Sequence, residues 1–214
     1  MKYLKYVNHR LRYDSFPQLV LDILAKMGVY IQLFYIFLED LSDKEARQWI
    51  SLPEGYSIGF MKFDEMHLLA ALPERNVSEI ELKERLKEGM LCLGVKYNGK
   101  LAAFTWCNMK QSTFPGYRLS LKDDEAYLFD AHTTVSYRGK GIAPAVRYHL
   151  YLELAKIGKT KLYSFSDKYN APAIRFKQKL NARIVGKGIY IRIFNKWHFR
   201  SPHSDLLPQE GREL

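Results

Sequence analysis

The sequence predicts a single α/β (α+β) domain preceded by a helix–strand extension, and three observations carry that prediction. A length of 214 residues with 47% apolar content supports one substantial core rather than two full domains. Residues 90–108 read as two apolar strands joined by Asn98-Gly99, the strongest short-range hairpin signal. Residues 126–170 run from a buried strand through a glycine-containing turn into an amphipathic helix and a second strand.

Taken in order, residues 1–15 form a basic arm, and Asp14 or Ser15 caps a helix over Phe16–Met27 that Gly28 closes. Val29–Leu38 is a dense β-branched and aromatic strand. This N-terminal unit, residues 1–50, is expected to pack on the domain, covering a sheet edge or making a homodimer contact. Its mixture of Lys, Arg and aromatic residues also suits a peripheral membrane contact. The domain itself spans 51–200. A short helix at 43–50 precedes it, and it holds a strand at 56–63, a helix at 64–72 stopped by Pro73, and a helix at 79–88 opened by Ser78 and Glu81. Residues 111–124 are polar and Pro/Gly-broken, and predict a loop. After the central helix come a strand at 161–166, a helix at 171–180 and a closing hairpin at 182–194, with Gly186 and Gly188 near its turn. The tail, 201–214, is polar and expected to be flexible.

The formal net charge of +10 favours acidic partners, namely cofactor phosphates, nucleic acid or an anionic membrane face. No zinc finger, RNA-binding aromatic motif or compact basic run accompanies it, so no specific nucleic acid is expected. Two cysteines, Cys92 and Cys107, exclude a disulfide scaffold and fit a reducing, cytoplasmic setting. No apolar run reaches the ~20 residues of a membrane span. No metal-ligand spacing is present.

The chemistry centres on Tyr137-Arg138-Gly139-Lys140-Gly141-Ile142-Ala143. Glycines let a backbone approach a ligand closely. The first-turn N–H groups of the following helix are unpaired and partly positive, so they accept a diphosphate. Pro144 suits a first helical turn, where no N–H is needed. Read alone, Arg138 and Lys140 could be a solvated basic turn and Asn170 a helix cap. Arg138, Gly141 and Ala143 fill the fixed positions of Gln/Arg-x-x-Gly-x-Gly/Ala, and in this the chain resembles the acyl-CoA-binding signature of the GNAT superfamily of N-acetyltransferases. The following strand and Asn170 fall at the family's spacing. The resemblance covers roughly 56–193 and is specific over 126–180.

The resemblance implies a mixed central sheet flanked by helices. It implies backbone pairing of Ala131, His132 and Thr133 with pantetheine. It also implies a diphosphate on Arg138, Gly139, Lys140, Gly141, Ile142 and Ala143, and contacts from Asn170 and Ala173. The co-substrate would be acetyl-CoA or another acyl-CoA, with acyl carrier protein also open as donor, and the acceptor a small amine. Acyl transfer needs a proton acceptor for the amine, a backbone N–H for the developing oxyanion and an acid for the thiolate. Strand alternation puts Glu125, Tyr127, Phe129, Ala131 and Thr133 on one face, and Asp130, His132 and Thr134 on the other. The family's usual glutamate position is Phe129, so Asp130 and Glu125 are the candidate bases, with His132 behind them. The family's usual thiol acid, a tyrosine, is Lys177 here, which leaves Tyr169, Tyr163 or water. An acyl-CoA-dependent N-acyltransferase is the leading expectation. A CoA-binding protein without catalysis and a basic interaction module are the alternatives.

Overall fold

The computed structural model describes residues 16–39, 52–73, 75–115 and 117–200. The expected arm at 1–15, the short helix at 43–50 and the tail at 201–214 lie outside the described residues. Helix α1 (Phe16–Lys26) ends at Gly28, whose φ of +91° turns the chain back into β1 (Val29–Glu39). There follow β2 (Tyr56–Phe60), α2 (Met66–Ala70), α3 (Glu79–Lys87), β3 (Leu91–Tyr97) and β4 (Lys100–Asn108). Strands β5 (Gln111–Phe114), β6 (Tyr117–Ser120) and β7 (Glu125–Thr133) lead to α4 (Ile142–Lys156) and β8 (Lys161–Asp167). Helix α5 (Ala171–Gln178) and strands β9 (Arg183–Ile193) and β10 (Trp197–Arg200) close the described chain.

The main sheet has the order β10-β9-β1-β8-β7-β4-β3-β2, with β7 and β8 parallel and its other neighbours antiparallel. Helices cover both faces, so the expected mixed sheet flanked by helices is the observed architecture. On one face Met66, Leu69 and Leu82 from α2 and α3 pack with Phe104 and Trp106. On the other, Val146, Leu150 and Leu154 of α4 pack on Ala126, Leu128 and Leu162. Full burial of each such side chain contributes roughly 1.5–3 kcal/mol.

Several elements depart from expectation. β1 does not cover a sheet edge. It lies inside the sheet, paired with β8 from Phe34↔Asp167 to Glu39↔Leu162 and with β9 from Val29↔Ile193 to Leu38↔Arg183. Its two-sided apolar character is the reason, because Phe34 and Ile36 are buried on one face and Phe37 on the other. The α1 face is only partly covered, leaving Val20 and Ile23 exposed. Residues 111–124 are not a plain loop, since β5 and β6 form a separate hairpin over Gln111–Ser120. The closing hairpin turns later than Gly186 and Gly188. The long partner β1 keeps β9 extended through both glycines, and the turn falls at Phe194-Asn195, both with positive φ. The helix expected over 64–72 begins as a 3₁₀ turn at Phe63–Glu65 and is α-helical only over Met66–Ala70. At Asn98-Gly99, by contrast, the φ values of 48° and 77° are those the hairpin signal requires.

Candidate active site

Strands β7 and β8 pair only through Glu125↔Lys161, Ala126↔Leu162 and Tyr127↔Tyr163. Beyond that point β7 continues along β4 as far as Thr133, and β8 continues along β1 as far as Asp167. The two strands therefore diverge, and a wedge-shaped gap opens between 128–133 and 164–167. Backbone phase shows which groups face the gap. Thr134 N–H donates to the Ala102 carbonyl, so Thr134 and His132 point their backbone groups at β4. Ala131 and Thr133 point theirs into the gap. The Thr133 carbonyl accepts a hydrogen bond of 3.0 Å from Arg138 Nε.

The mouth of the gap is the turn before α4. A 3₁₀ turn over Val135–Tyr137 leads to Gly139 and Gly141, with φ of 78° and 75°. A side chain at either would be strained, so glycine is what the turn demands. Nothing lies within 4 Å of where a Cβ on Gly139 would sit, so open space fronts the turn. Gly141 caps α4, which leaves the N–H groups of Ile142 and Ala143 in the first turn without intrahelical acceptors, and Pro144 has none to satisfy. Arg138 and Lys140 are exposed beside it, with Lys140 Nζ 5.5 Å from the centre of the Tyr137 ring. On the opposite lip Asn170 caps α5, its Oδ1 accepting from Ala173 N–H at 3.1 Å. Ala131 and Thr133 of β7, the turn and Asn170–Ala173 thus surround one gap, whereas His132, also expected to pair with pantetheine, spends its backbone groups on β4. Strand-edge groups turned into the gap and a helix N-terminus fit a ligand carrying both amides and a diphosphate.

The candidate catalytic residues are not brought together. Asp130 has φ of 49°, and the β4–β7 register shifts between Phe104 and Trp106, so β7 bulges there. Simple alternation fails at the bulge. Arg85 stacks 5.7 Å from the Phe129 ring and donates to Asp130 Oδ2 at 2.7 Å, so Phe129 and Asp130 share the face covered by α3 instead of facing opposite ways. Asp130 also takes a bidentate pair from Arg75, at 2.6 and 2.7 Å. Burial opposes its ionisation, but the hydrogen bonds and charges of Arg75 and Arg85 outweigh it and hold the carboxyl below its usual range. A carboxylate held this way is a weak proton acceptor. Glu125 is buried at the closed end of the ladder, accepting from Lys122 N–H at 2.9 Å. Tyr169 is at the mouth, in a turn where its N–H donates to Asp167 Oδ1 at 3.0 Å. Tyr163 is buried at the last paired position, on the face carrying Tyr127 and Phe34. The His132 ring lies 5.8 Å from that of Phe104, on the α2–α3 face.

Two charged clusters were missed from the sequence. The first is Arg75 and Arg85 around Asp130. The second is buried behind β8: Glu39, Arg147 and Lys177, with Tyr151 and Ser164 donating to the Glu39 carboxylate. The available signal was a charge flanked by apolar residues, as Arg147 is in Ala145-Val146-Arg147-Tyr148 and Glu39 is at the end of a hydrophobic strand.

Known proteins share this fold. A tandem GNAT protein from the clavulanic acid biosynthesis pathway superposes with a TM-score of 0.59 at 16% identity, over 85% of this chain and 58% of its own. A GCN5-related N-acetyltransferase-like protein from Streptococcus suis gives 0.54 at 14% identity, over 80% of this chain and 66% of its own. The glucosamine N-acetyltransferase region of a fungal multi-domain β-N-acetylglucosaminidase gives 0.57 at 17% identity, over 87% of this chain and 23% of its own. This chain thus spans little more than half of the tandem protein and a quarter or less of the fungal one. No curated protein sequence matches. At these identities the superpositions speak for the fold. The family model "Acetyltransferase (GNAT) family" matches residues 59–182, more than half the chain and the whole of the diverging β7–β8 pair with its turn, so the chain belongs to the GNAT acetyltransferase family.

Proposed function

We propose that the protein is an acyl-CoA-dependent N-acyltransferase, in the first instance an N-acetyltransferase, that acylates a primary amine of a small molecule by direct attack. The observation that carries this reading is the β7–β8 gap opening onto the Gly139/Gly141 turn and the N-terminus of α4. In it, N–H groups of 139–143 hold the diphosphate, with Arg138 and Lys140 adding charge. Ala131 and Thr133 offer backbone groups to pantetheine and to the acyl carbonyl, polarising that carbonyl for attack. Asn170 and Ala173 line the other lip. The amine approaches on the face carrying Phe129, Asp130 and His132. There Asp130 positions Arg75 and Arg85 and does not take the proton. Bringing amine and thioester together supplies much of the acceleration, so direct transfer needs no nucleophilic side chain.

The test is thermal stabilisation by acetyl-CoA together with thiol release across a panel of amines. No stabilisation and no release would sink the reading. The engaged state of Asp130 also favours a second reading, a CoA-binding protein without turnover. Stabilisation without release for any amine, unchanged in Asp130→Ala, would select it.

A further inference from the structure

Lys177 is a buried cation at the floor of the gap. Helix α5 drives it into the sheet, where it is 2% exposed. Its Nζ donates to the Phe165 carbonyl at 2.9 Å and to Ser166 Oγ at 2.8 Å, and sits 4.6 Å from the Phe37 ring centre. The phase of β8 explains the first contact. Lys168 N–H donates to the Leu33 carbonyl, so alternate residues Ser166 and Ser164 exchange hydrogen bonds with β1. Phe165 between them turns its carbonyl away from β1, toward β7. The β7–β8 register itself ends two residues earlier, at Tyr127↔Tyr163. Lys177 therefore binds the strand edge just past the last β7–β8 pair, and its ammonium stands where the gap begins. An ammonium has three donors, and these two contacts leave one.

The groups around it come from every neighbouring element. From β1, Glu39 Oε1 lies 4.0 Å from Nζ. From α4, Arg147 Nε lies 3.4 Å from Glu39 Oε2, and Tyr151 also donates to that carboxylate. Ser164 of β8 donates to its other oxygen. Burial opposes the Glu39 charge, but Arg147, Lys177 and these two hydroxyls hold it ionised. One carboxylate thus faces two cations.

We propose that Lys177 is the proton donor to the thiolate that leaves during acyl transfer, and that Glu39 is the positioning residue that keeps it charged. This rests on the acyl-CoA reading above. In the step, the amine nitrogen bonds to the acyl carbon, the carbon–sulfur bond breaks with its electron pair on sulfur, and sulfur takes a proton from Lys177 Nζ. The surplus proton of the amine leaves to solvent, and Lys177 regains one from solvent. Burial pushes the Lys177 ammonium down to about 7, with Glu39 raising it and Arg147 lowering it further, which is near the working range of an acid at neutral pH. Glu39 is outside the segment 59–182 matched by the family model, so the strand added ahead of that segment supplies a group on which the site depends.

The experiment follows the thiolate absorbance of CoA bound to the full-length protein as pH is raised. Thiolate and ammonium stabilise each other and titrate as a pair, so bound thiolate holds Lys177 charged to higher pH than in the free protein. In Lys177→Met, without that pairing, the thiol is expected to ionise about one pH unit or more higher than in wild type, a tenfold change in its ionisation constant. The alkaline limb of kcat is expected to vanish in Lys177→Met and to move to lower pH in Glu39→Gln, while CoA still stabilises all three proteins. Unchanged ionisation of bound CoA in Lys177→Met overturns the proposal while leaving the acyl-CoA reading intact. Absence of CoA stabilisation in wild type overturns that reading instead. If Lys177→Met does not fold, Lys177→Gln, which retains a donor to the Phe165 carbonyl, takes its place in the same titration with the same two outcomes.

Discussion

Phe129 and Asp130 are neighbours in one strand, yet Arg85 grips both, its guanidinium 5.7 Å from the ring centre and 2.7 Å from the carboxylate. The left-handed backbone at Asp130 rotates its side chain onto the Phe129 face. Removing the carboxylate strips the largely buried Arg75 of its bidentate partner and leaves Arg85 its pair with Glu81. Asp130→Ala is expected to lose about 3–5 kcal/mol, measured by urea unfolding at pH 7. The folded-state pKa is depressed, so this stability is fully present above the ordinary value of 3.8 and disappears as pH falls below it. Wild type and variant should therefore converge in acid. A kcat/KM profile of Asp130→Asn that retains its acidic limb would confirm that the base is elsewhere.

The turn at Gly139 and Gly141 ties ligand affinity to backbone handedness. Alanine at Gly141 forces a side chain into φ near 75°, which costs about 1–2 kcal/mol and tilts the N–H groups that open α4. We expect a roughly tenfold weaker Kd for CoA by calorimetry, since about 1.4 kcal/mol is a factor of ten. Gly139→Ala meets no neighbouring atom and should show the stability loss with the smaller effect on binding.

Both cysteines are buried in the sheet. Burial pushes the Cys107 thiol up to about 12, and Cys92 well above its ordinary value. Thiolate is the reactive form, so the native protein should label negligibly with a thiol reagent at pH 8, and both thiols should react after denaturation. Rapid labelling of either in native protein would contradict the packing. The same inertness makes thiol release a clean measure of free CoA.

Lys177 should shape the pH dependence of stability. Its folded-state value is below the ordinary 10.5, so the unfolded chain holds this proton over pH 7–10.5 while the folded chain releases it. Stability from this group therefore rises with pH across that window, and the penalty is fully present below pH 7. Lys177→Met should flatten the rise, read as urea midpoints at pH 6.5 and 9.5. An equal slope in both proteins would contradict the buried placement.

What was legible in the sequence was local. The Asn98-Gly99 hairpin, the Ser78 cap, whose Oγ accepts from Glu81 N–H, and the Arg138–Ala143 turn each rest on residues a few positions apart. The place of β1 was not legible, because its partners Asp167 and Ile193 are distant in sequence and nothing in Val29–Leu38 encodes which strands it joins. The faces of β7 were misassigned at one residue. An aspartate in a left-handed bulge reads, from sequence, like any polar position in a strand. Glu39, Arg147 and Lys177 escaped for the same reason as β1, since each looks like an isolated charge until the sheet order brings them together.

The seat of β1 between β8 and β9 also governs the order in which the chain can be built. A ribosome delivers Val29–Glu39 well before either of the strands that flank it in the sheet. Until they emerge Phe34, Ile36 and Phe37 have no permanent cover, and closing so long a loop slows the final assembly. The nascent chain thus carries an adhesive segment until β8 and β9 have both been made.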